Sequence, residues 1–386
     1  MIWFLLGLVT LILGAELMVR GASKLAMALG ISPLVVGLTV VAFGTSSPEL
    51  AVSVQSAWVG QVDIALGNVV GSNIFNVLFI LGLSALITPL VVHRQLIRQE
   101  VPLMLGASLL LWALAGNQAI DRLDGLLLVG LLAIYTFYVI RASRRQNLVQ
   151  RQEASNRQEV LHPQEGMNRQ EAISPEEAIR RQESEAPPVT EEGAWDSHWS
   201  VQVVLVLAGL AFLVLGSNWL VEAAIGFARA LGVSELVIGL TLIAAGTSLP
   251  EVATSILAAL RGERDIAVGN VVGSNIFNVL GVLGVSAAIA PTSLTVAPSM
   301  LVFDLPVMVA VALACLPIFF TGHLIARWEG GLFFAYYLVY TIYLILMARQ
   351  HDGLAQFGWI MASFVLPLTF ATLAILAGRH WRQGRG

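Results

Sequence analysis

Apolar residues form long runs along the chain, and eleven runs are long enough to cross a bilayer as helices. The second, third, seventh and eighth are interrupted by Gly, Ser, Thr, Asn and Pro, so they are poor candidates for simple lipid-facing rods. The pattern therefore predicts an all-α polytopic membrane protein. The predicted spans are 2–20, 33–59, 65–88, 99–117, 123–141, 200–221, 235–260, 267–290, 299–320, 328–348 and 357–378.

Two of the interrupted pairs of spans are copies of one another. Residues 37–78 and 239–280 align without a gap at an offset of 202, and 28 of the 42 positions are identical, including the last twelve. Each copy reads Gly-Thr-Ser-x-Pro-Glu and later Gly-Asn-Val-Val-Gly-Ser-Asn-Ile-Phe-Asn. Each also places a glutamate, Glu49 or Glu251, inside an apolar span. A carboxylate there is costly, which makes it a candidate functional residue.

The basic residues predict the orientation of the chain in the membrane. With the N-terminus outside, 18 of the 21 Lys and Arg residues fall on the cytoplasmic side, together with the C-terminus. The turn inside the first copy, residues 60–63, has no basic residue, whereas the matching turn carries Arg261 and Arg264. The copies therefore have opposite predicted topologies, the inverted-repeat arrangement of secondary transporters.

We accordingly predict two inverted five-helix repeats, giving ten core helices, and one extra C-terminal helix. The first repeat covers residues 1–142 and the second covers 199–348. Residues 143–198 form a cytoplasmic linker rich in Gln, Glu and Arg, expected to be disordered or loosely helical. Residues 349–386 hold the extra helix and a basic tail.

Composition agrees with this class and excludes others. The chain is 57% hydrophobic and only 12% charged, and nothing in it resembles a basic nucleic-acid surface. One cysteine, Cys315, excludes an intramolecular disulfide and argues against a Cys-ligated metal cluster. The N-terminus has no basic region or clean cleavage site, so we interpret it as a retained first span in a plasma membrane. The expected partners are the lipid bilayer and transported ions, with no cofactor; the oligomeric state, monomer or otherwise, stays open.

Each duplicated block offers only oxygen ligands to a cation. The proline in each block frees a backbone carbonyl one turn earlier, near residues 42–45 and 244–247. Ser72 and Asn76 share a helix face, as do their counterparts in the second copy. Asn73 and Asn275 lie about 100° around the helix from Ser72 and Ser274, so they rank lower as ligands. Oxygen ligation without thiolate or imidazole favours hard cations such as Ca²⁺, Mg²⁺, Mn²⁺ or Na⁺.

The paired blocks resemble the α-repeats of the calcium/cation antiporter superfamily, specifically its prokaryotic sodium/calcium exchanger branch. The resemblance covers nearly the whole chain apart from the linker and the last helix. It implies alternating access at a midplane site, with Na⁺ influx driving Ca²⁺ efflux. The implied Ca²⁺ ligands are Glu49, Glu251 and the carbonyls of Thr45 and Thr247. The implied Na⁺ ligands are Ser46, Ser72, Ser248, Ser274 and the carbonyls of Ala42 and Ala244, with Asn76 and Asn278 lining the centre.

One departure from the superfamily bears on the coupling ions. Several relatives, including potassium-dependent exchangers, carry aspartate at one or both positions that match Asn76 and Asn278. Two carboxylates instead of three or four argue against a K⁺ requirement, and they leave the stoichiometry open.

Other functions compete with Na⁺-driven exchange. A proton-coupled antiporter for Ca²⁺ or another divalent cation could use the same two glutamates, although the serine pairs favour Na⁺. A polytopic enzyme needs a nucleophile–base pair or a histidine cluster, and the blocks contain neither. A channel suits inverted repeats around paired carboxylates less well than alternating access does.

Three further carboxylates lie outside the duplicated blocks. Glu16 is expected to pair with Arg20 or to face the aqueous interface. Glu100 and Asp304 occupy matching positions near predicted span ends, where we favour a solvated or structural role.

Overall fold

The computed structural model describes residues 2–161, 198–230, 244–320, 322–348, 354–361 and 363, and these residues are almost entirely helical. The first half contains α1 (Ile2–Leu29), α2 (Pro33–Thr45), α3 (Ser47–Trp58), α4 (Val62–Ile87), α5 (Leu96–Asn117) and α6 (Arg122–Leu161). The second half contains α7 (Trp199–Ala230), α8 (Ala244–Thr247), α9 (Leu249–Leu260), α10 (Arg264–Ile289), α11 (Met300–Phe320), α12 (Arg327–Ala348) and α13 (Leu354–Ile360).

Eight helices of the described part are long and apolar enough to cross a membrane, and the bent pair α2–α3 makes a ninth candidate. Most of these spans match the predicted ones within a few residues, but α1 and α7 each extend nine residues beyond their predicted ends, to Leu29 and Ala230. The predicted span 235–260 is described only from residue 244, and the predicted last span, 357–378, lies mostly outside the described residues. The count of five plus five helices and the extra C-terminal helix therefore stay predictions. Helix α6 continues to Leu161, so the described beginning of the predicted linker is helical.

Helices α4 and α10 form the centre of the bundle. Of the most apolar window in each span, 72% of α4 and 83% of α10 is buried, against 22% of α6 and 11% of α12. The outer helices instead expose large apolar side chains such as Ile2, Leu126 and Ile342, as expected of a lipid-facing surface. These two helices, which carry the identical end of the duplicated block, are thus the most enclosed of the eight described spans.

Glycine residues allow helices of the two halves to approach closely. A Cβ atom at Gly14 would lie 2.6 Å from the Leu213 backbone nitrogen, and one at Gly216 would lie 2.5 Å from that of Leu11. These contacts pack α1 along α7. The end of α4 meets α12 where Gly82 faces Gly330, and reciprocally α10 meets α6 where Gly284 faces Gly125.

Four two-residue strands link the halves in the same reciprocal way. Strand β1 (Leu90–Val91) pairs with β4 (Leu324–Ile325), and β2 (Ala119–Ile120) pairs with β3 (Leu294–Thr295), both antiparallel. Helix α5, which at 1.5 Å per residue is about 33 Å long, separates β1 from β2. The two strand pairs therefore lie at opposite ends of the bundle.

The two copies of the duplicated block run in opposite directions through the bundle. The beginning of α4 contacts β3, whereas the beginning of α10 contacts β1 at the other end. The tight turns that precede these helices are alike: Gly60 and Gly262 have φ of 80° and 81°, a left-handed conformation that glycine adopts without strain. This geometry supports the predicted inversion, while the side of the membrane that each end faces stays a prediction.

Candidate cation-binding site

Both duplicated helices break at the serine two residues before the proline. Between α2 and α3 the chain bends by 47° at Ser46, whose φ and ψ are −81° and 10°. Ser248 has the matching values, −90° and 8°, between α8 and α9. Each proline, Pro48 or Pro250, enters the following helix at its first turn, where a missing N–H costs little. The predicted interruption is therefore present in both copies.

The backbone carbonyl freed by Pro250 has a partner that the sequence did not indicate. Pro250 cannot donate to the carbonyl of Gly246, and the hydroxyl of Ser217 on α7 donates to that carbonyl instead, at 2.7 Å. The carbonyl of Ala42 accepts the backbone N–H of Ser46 at 3.0 Å. The carbonyl of Gly246 is thus satisfied within the protein.

The two glutamates lie in the protein interior and exchange hydrogen bonds across the halves. Ser248 Oγ donates to Glu49 Oε1 at 2.8 Å, and Ser46 Oγ donates to Glu251 Oε1 at 2.9 Å. Glu49 is 0% and Glu251 1% exposed. Each carboxylate is therefore held by a serine at the helix break of the opposite half.

A serine on α4 joins this arrangement. Ser248 Oγ lies 3.3 Å from Ser72 Oγ, so the hydroxyl bridges a glutamate of the first half and the central helix. The counterpart Ser274 is equally buried, but its hydroxyl has no hydrogen-bond partner among the described residues. The two copies therefore differ at this position.

Two asparagines that the sequence interpretation did not select tie the broken helices together. Asn270 Nδ2 donates to Ser255 Oγ at 2.9 Å, and its Oδ1 accepts the hydroxyl of Thr45 from the other half at 3.1 Å. Asn68 repeats the pattern with Ser53 at 2.9 Å and Thr247 at 3.3 Å. The signal was available, because the identical Gly-Asn-Val-Val stretch includes both asparagines.

The last polar layer consists of four buried asparagines, Asn73, Asn76, Asn275 and Asn278, which we call the amide clasp. Asn73 Nδ2 donates to the backbone carbonyl of Asn275 and Asn275 Nδ2 to that of Asn73, each at 3.2 Å. Asn76 Nδ2 donates to Asn275 Oδ1 at 3.0 Å, and Asn278 Nδ2 donates to Asn73 Oδ1 at 3.1 Å. The clasp therefore joins α4 to α10 through four hydrogen bonds, each donated by an asparagine side-chain amide.

Four buried carboxylate and amide oxygens of this region, like the Ser274 hydroxyl, have no hydrogen-bond partner among the described residues. They are one carboxylate oxygen of each glutamate, Glu49 Oε2 and Glu251 Oε2, and one amide oxygen of each outer clasp asparagine, Asn76 Oδ1 and Asn278 Oδ1. An unpaired buried acceptor is costly, and native proteins leave few of them. Carboxylate and amide oxygens are also the ligands that hard cations prefer. The arrangement is thus chemically suited to binding a cation.

The carboxylates outside the duplicated blocks have partners in the protein. Glu16 forms an ion pair with Arg261 in the turn of the second copy, a partner that its sequence spacing does not indicate. Glu100 is 1% exposed and accepts hydrogen bonds from Gln95 and Tyr135. Tyr340 donates equivalently to Asp304. Of the two roles expected for Glu100, solvated or structural, its burial and its two donors favour the structural one.

Comparisons with known proteins agree with this description. The sequence profile of the family described as "Sodium/calcium exchanger protein" matches residues 1–141 and 201–346. The sodium/calcium exchanger MaX1 of Methanosarcina acetivorans is 35% identical over 341 residues, which cover 88% of this chain and 97% of that protein. The protein CaxA of Alkalimonas amylolytica is 39% identical over 294 residues, 75% of this chain and 81% of that protein.

A solved structure shows the same fold. The sodium-calcium exchanger NCX_Mj, soaked with zero Na⁺ and Ca²⁺, superposes with a TM-score of 0.67 at 29% identity, covering 87% of this chain and 96% of that one. The fold and the comparisons together define an integral membrane transporter, and they exclude the alternative that the protein is a polytopic enzyme. The chain belongs to the sodium/calcium exchanger protein family, and its general activity is cation antiport.

Proposed function

We propose that the protein exchanges Na⁺ for Ca²⁺ by alternating access, at a site that Glu49 and Glu251 form between the two repeats. The observation that carries this proposal is the set of four buried oxygens without partners, two of them carboxylate. Two negative charges neutralise one divalent ion or two monovalent ions. Either load removes the repulsion between the carboxylates, and this equivalence is a physical basis for exchange.

For Ca²⁺ the ligands are Glu49, Glu251 and the backbone carbonyls of Thr45 and Thr247. Both threonine hydroxyls are already bonded to asparagines, so the backbone carbonyls are the more suitable groups of these residues. Asn76 and Asn278 add amide oxygens at the centre. Six to eight oxygen ligands satisfy Ca²⁺ in flexible geometry, which a pair of broken helices can supply.

For Na⁺ the ligands are hydroxyls that lie beside the carboxylates. Ser46 and Ser248 now donate to the glutamates, and each hydroxyl retains lone pairs for a cation. Ser72 and Ser274 complete the set, together with the backbone carbonyls of Ala42 and Ala244. The unpartnered hydroxyl of Ser274 favours this assignment.

A proton-coupled antiporter is the second candidate. The two carboxylates are buried near one another without a basic partner among their described contacts, so each could carry a proton in place of sodium. The reaction would then exchange H⁺ for Ca²⁺ or another divalent cation at the same residues. The serine hydroxyls beside the glutamates favour Na⁺, because a proton needs no such additional oxygens.

The coupling ion can be tested with purified protein in proteoliposomes. We expect radioactive Ca²⁺ to enter vesicles loaded with Na⁺ and to be excluded from vesicles loaded with K⁺, at equal internal and external pH. Vesicles containing the double variant E49Q/E251Q are the control for leak. Uptake that ignores the Na⁺ gradient but follows a pH gradient would replace sodium by the proton as the coupling ion.

We further propose that the N-terminus faces the outside of the plasma membrane, with the C-terminus and the linker in the cytoplasm. The turns at Gly60 and Gly262 lie at opposite ends of the bundle, so they should label from opposite sides. In a variant with Cys315 replaced by alanine, a cysteine at Gln61 should react with a membrane-impermeant thiol reagent in whole cells. A cysteine at Glu263 should react only after lysis, and the reverse result would invert the orientation.

A further inference from the structure

The amide clasp contains two kinds of asparagine. Asn76 and Asn278 each have an unpartnered Oδ1, whereas Asn73 and Asn275 use both ends of their amides within the protein. A side-chain amide has a negative and a positive end, and only the oxygen attracts a cation. An Asn278 turned by 180° would present its N–H groups to the site and repel the ion.

We propose that Asn73 and Asn275 are positioning residues that hold the oxygens of Asn278 and Asn76, respectively, toward the transported cation. This inference rests on the proposed cation site. It assigns a role to the two asparagines that helical periodicity ranks lower as cation ligands. It predicts that cation affinity depends on residues that do not touch the cation.

The orientation of Asn73 is fixed by two acceptors at its amino end. Its Nδ2 lies 3.2 Å from the carbonyl oxygen of Asn275 and 3.6 Å from the sulfur of Met308, so both N–H groups are committed. Its Oδ1 must then face Asn278, whose Nδ2 donates to it at 3.1 Å. With its amino end bound, Asn278 directs its oxygen away from Asn73.

The second copy repeats this order of contacts. Asn275 Nδ2 lies 3.2 Å from the carbonyl oxygen of Asn73 and 3.5 Å from the sulfur of Met104. Its Oδ1 accepts from Asn76 at 3.0 Å. All four asparagines and both methionines are at most 3% exposed, so water does not compete for these bonds. Each arm of the clasp thus has its own positioning residue.

The test is a double-mutant cycle on Ca²⁺ binding to the purified full chain, measured by titration calorimetry. In the wild-type background N73L removes the acceptor for Asn278, and we expect Ca²⁺ binding to weaken about tenfold, the size of one lost hydrogen bond in a charged site. In the N278D background either oxygen of the carboxylate can face the ion, so no orientation is needed. There N73L should leave Ca²⁺ affinity unchanged or increase it, because it removes the acceptor Oδ1 that faces the new carboxylate.

The other arm supplies the matched control. Asn76 is oriented by Asn275, whose own bonds to the Asn73 backbone carbonyl and to Met104 survive N73L. In the N76D background N73L should therefore keep its tenfold loss. An equal loss in all three backgrounds would mean that Asn73 only packs α4 against α10, and no loss in the wild-type background would also overturn the proposal.

Two further variants cover the case in which N73L does not fold, as judged by size exclusion and thermal unfolding. N73S removes the amide without adding bulk and should give the same pattern. M308L keeps all four amides and removes only the sulfur acceptor, so we expect a loss of about twofold, again absent with N278D. An unchanged affinity in both variants contradicts the proposal. If instead E49Q and E251Q still bind Ca²⁺ at wild-type affinity, the cation site itself is misplaced, independently of the clasp.

Discussion

The centre of the protein and the ends of the bundle differ in how closely the two halves match. At the centre, the bonds of the glutamates and of the amide clasp are repeated by their counterparts at distances that agree within about 0.1 Å. At one end, Glu16 and Ser23 of α1 bond the charged turn of the second copy through Arg261 and Glu263. The matching turn of the first copy, residues 60–63, contains no residue equivalent to Arg261 or Glu263.

This difference follows from what each region must contact. An ion bound between the halves meets both copies at once, so matching ligands from the two sides suit it equally. The two ends contact different helices and, in the predicted topology, different aqueous phases. Substitutions that test the comparison should therefore have equal effects in the two halves at the centre and unequal effects elsewhere.

The largest effect is expected at the two glutamates. E49Q and E251Q each remove one negative charge from the candidate site, so each should reduce Ca²⁺-dependent exchange by about 100-fold or more, because ligand charge sets affinity for this ion. Initial rates of Ca²⁺ uptake in proteoliposomes measure the loss. E16Q, outside the site, is the control and should retain exchange. A strong loss in only one glutamine variant would show that the halves do not contribute equally.

The next effect concerns the packing of α1 on α7. A methyl group at Gly216 would lie 2.5 Å from a backbone nitrogen, which cannot move without separating the helices. We expect G216A to lower the free energy of unfolding by about 3 kcal/mol. Gly106 on α5 has no neighbouring atom within 4 Å of the added carbon among the described residues, so G106A should be neutral or slightly stabilising. Thermal unfolding in detergent distinguishes the two, and equal midpoints would refute the close approach.

A smaller effect is expected at Ser217. S217A removes the hydroxyl that donates to the carbonyl of Gly246 and should cost about 1 kcal/mol. The matching position in the first half is Ala15, so A15S tests whether the carbonyl of Gly44 accepts an equivalent hydroxyl. Stabilisation by A15S would show that the difference between the two halves at this position is tolerated and not required. An unchanged free energy of unfolding in S217A would mean that this hydrogen bond does not stabilise the protein.

The smallest effect is expected at the ion pair between Glu16 and Arg261. Both side chains are more than one third exposed, 34% and 37%. R261Q should therefore change the free energy of unfolding by no more than about 0.5 kcal/mol, and the change should vanish at high salt. Unfolding curves at low and high ionic strength give the answer. A large, salt-independent loss would indicate a structural role that the exposure of the pair does not suggest.

The sequence was sufficient for most of the helical spans and for the burial of the two duplicated glutamates. Long apolar runs define the spans. The identical blocks identify Glu49, Glu251 and the serines as candidate ligands, because a duplicated polar motif in an apolar span has few purely structural explanations. It was insufficient wherever a hydrogen-bond or ion-pair partner lies on a different helix. The bonds of Ser217 to Gly246 and of Glu16 to Arg261 join residues far apart in the chain, and no spacing rule reaches them.

The ranking of the asparagines shows the same limit. Helical periodicity places Asn73 about 100° from Ser72 on α4, and it assigns greater importance to Asn76, which shares a face with Ser72. It cannot show that Asn275 of α10 accepts hydrogen bonds from both of these side chains. The roles of such residues depend on the packing of α4 against α10, which the sequence of either helix alone does not specify.

The most direct test of the central claim is the position of the bound ion. In a crystal structure of the protein grown with Ca²⁺, we expect the ion between Glu49 Oε2 and Glu251 Oε2, about 2.3–2.6 Å from each oxygen. Amide oxygens of the clasp should face it, and E49Q crystals under the same conditions should lack it. A Ca²⁺ ion bound away from both carboxylates, or retained unchanged in E49Q, would contradict the account.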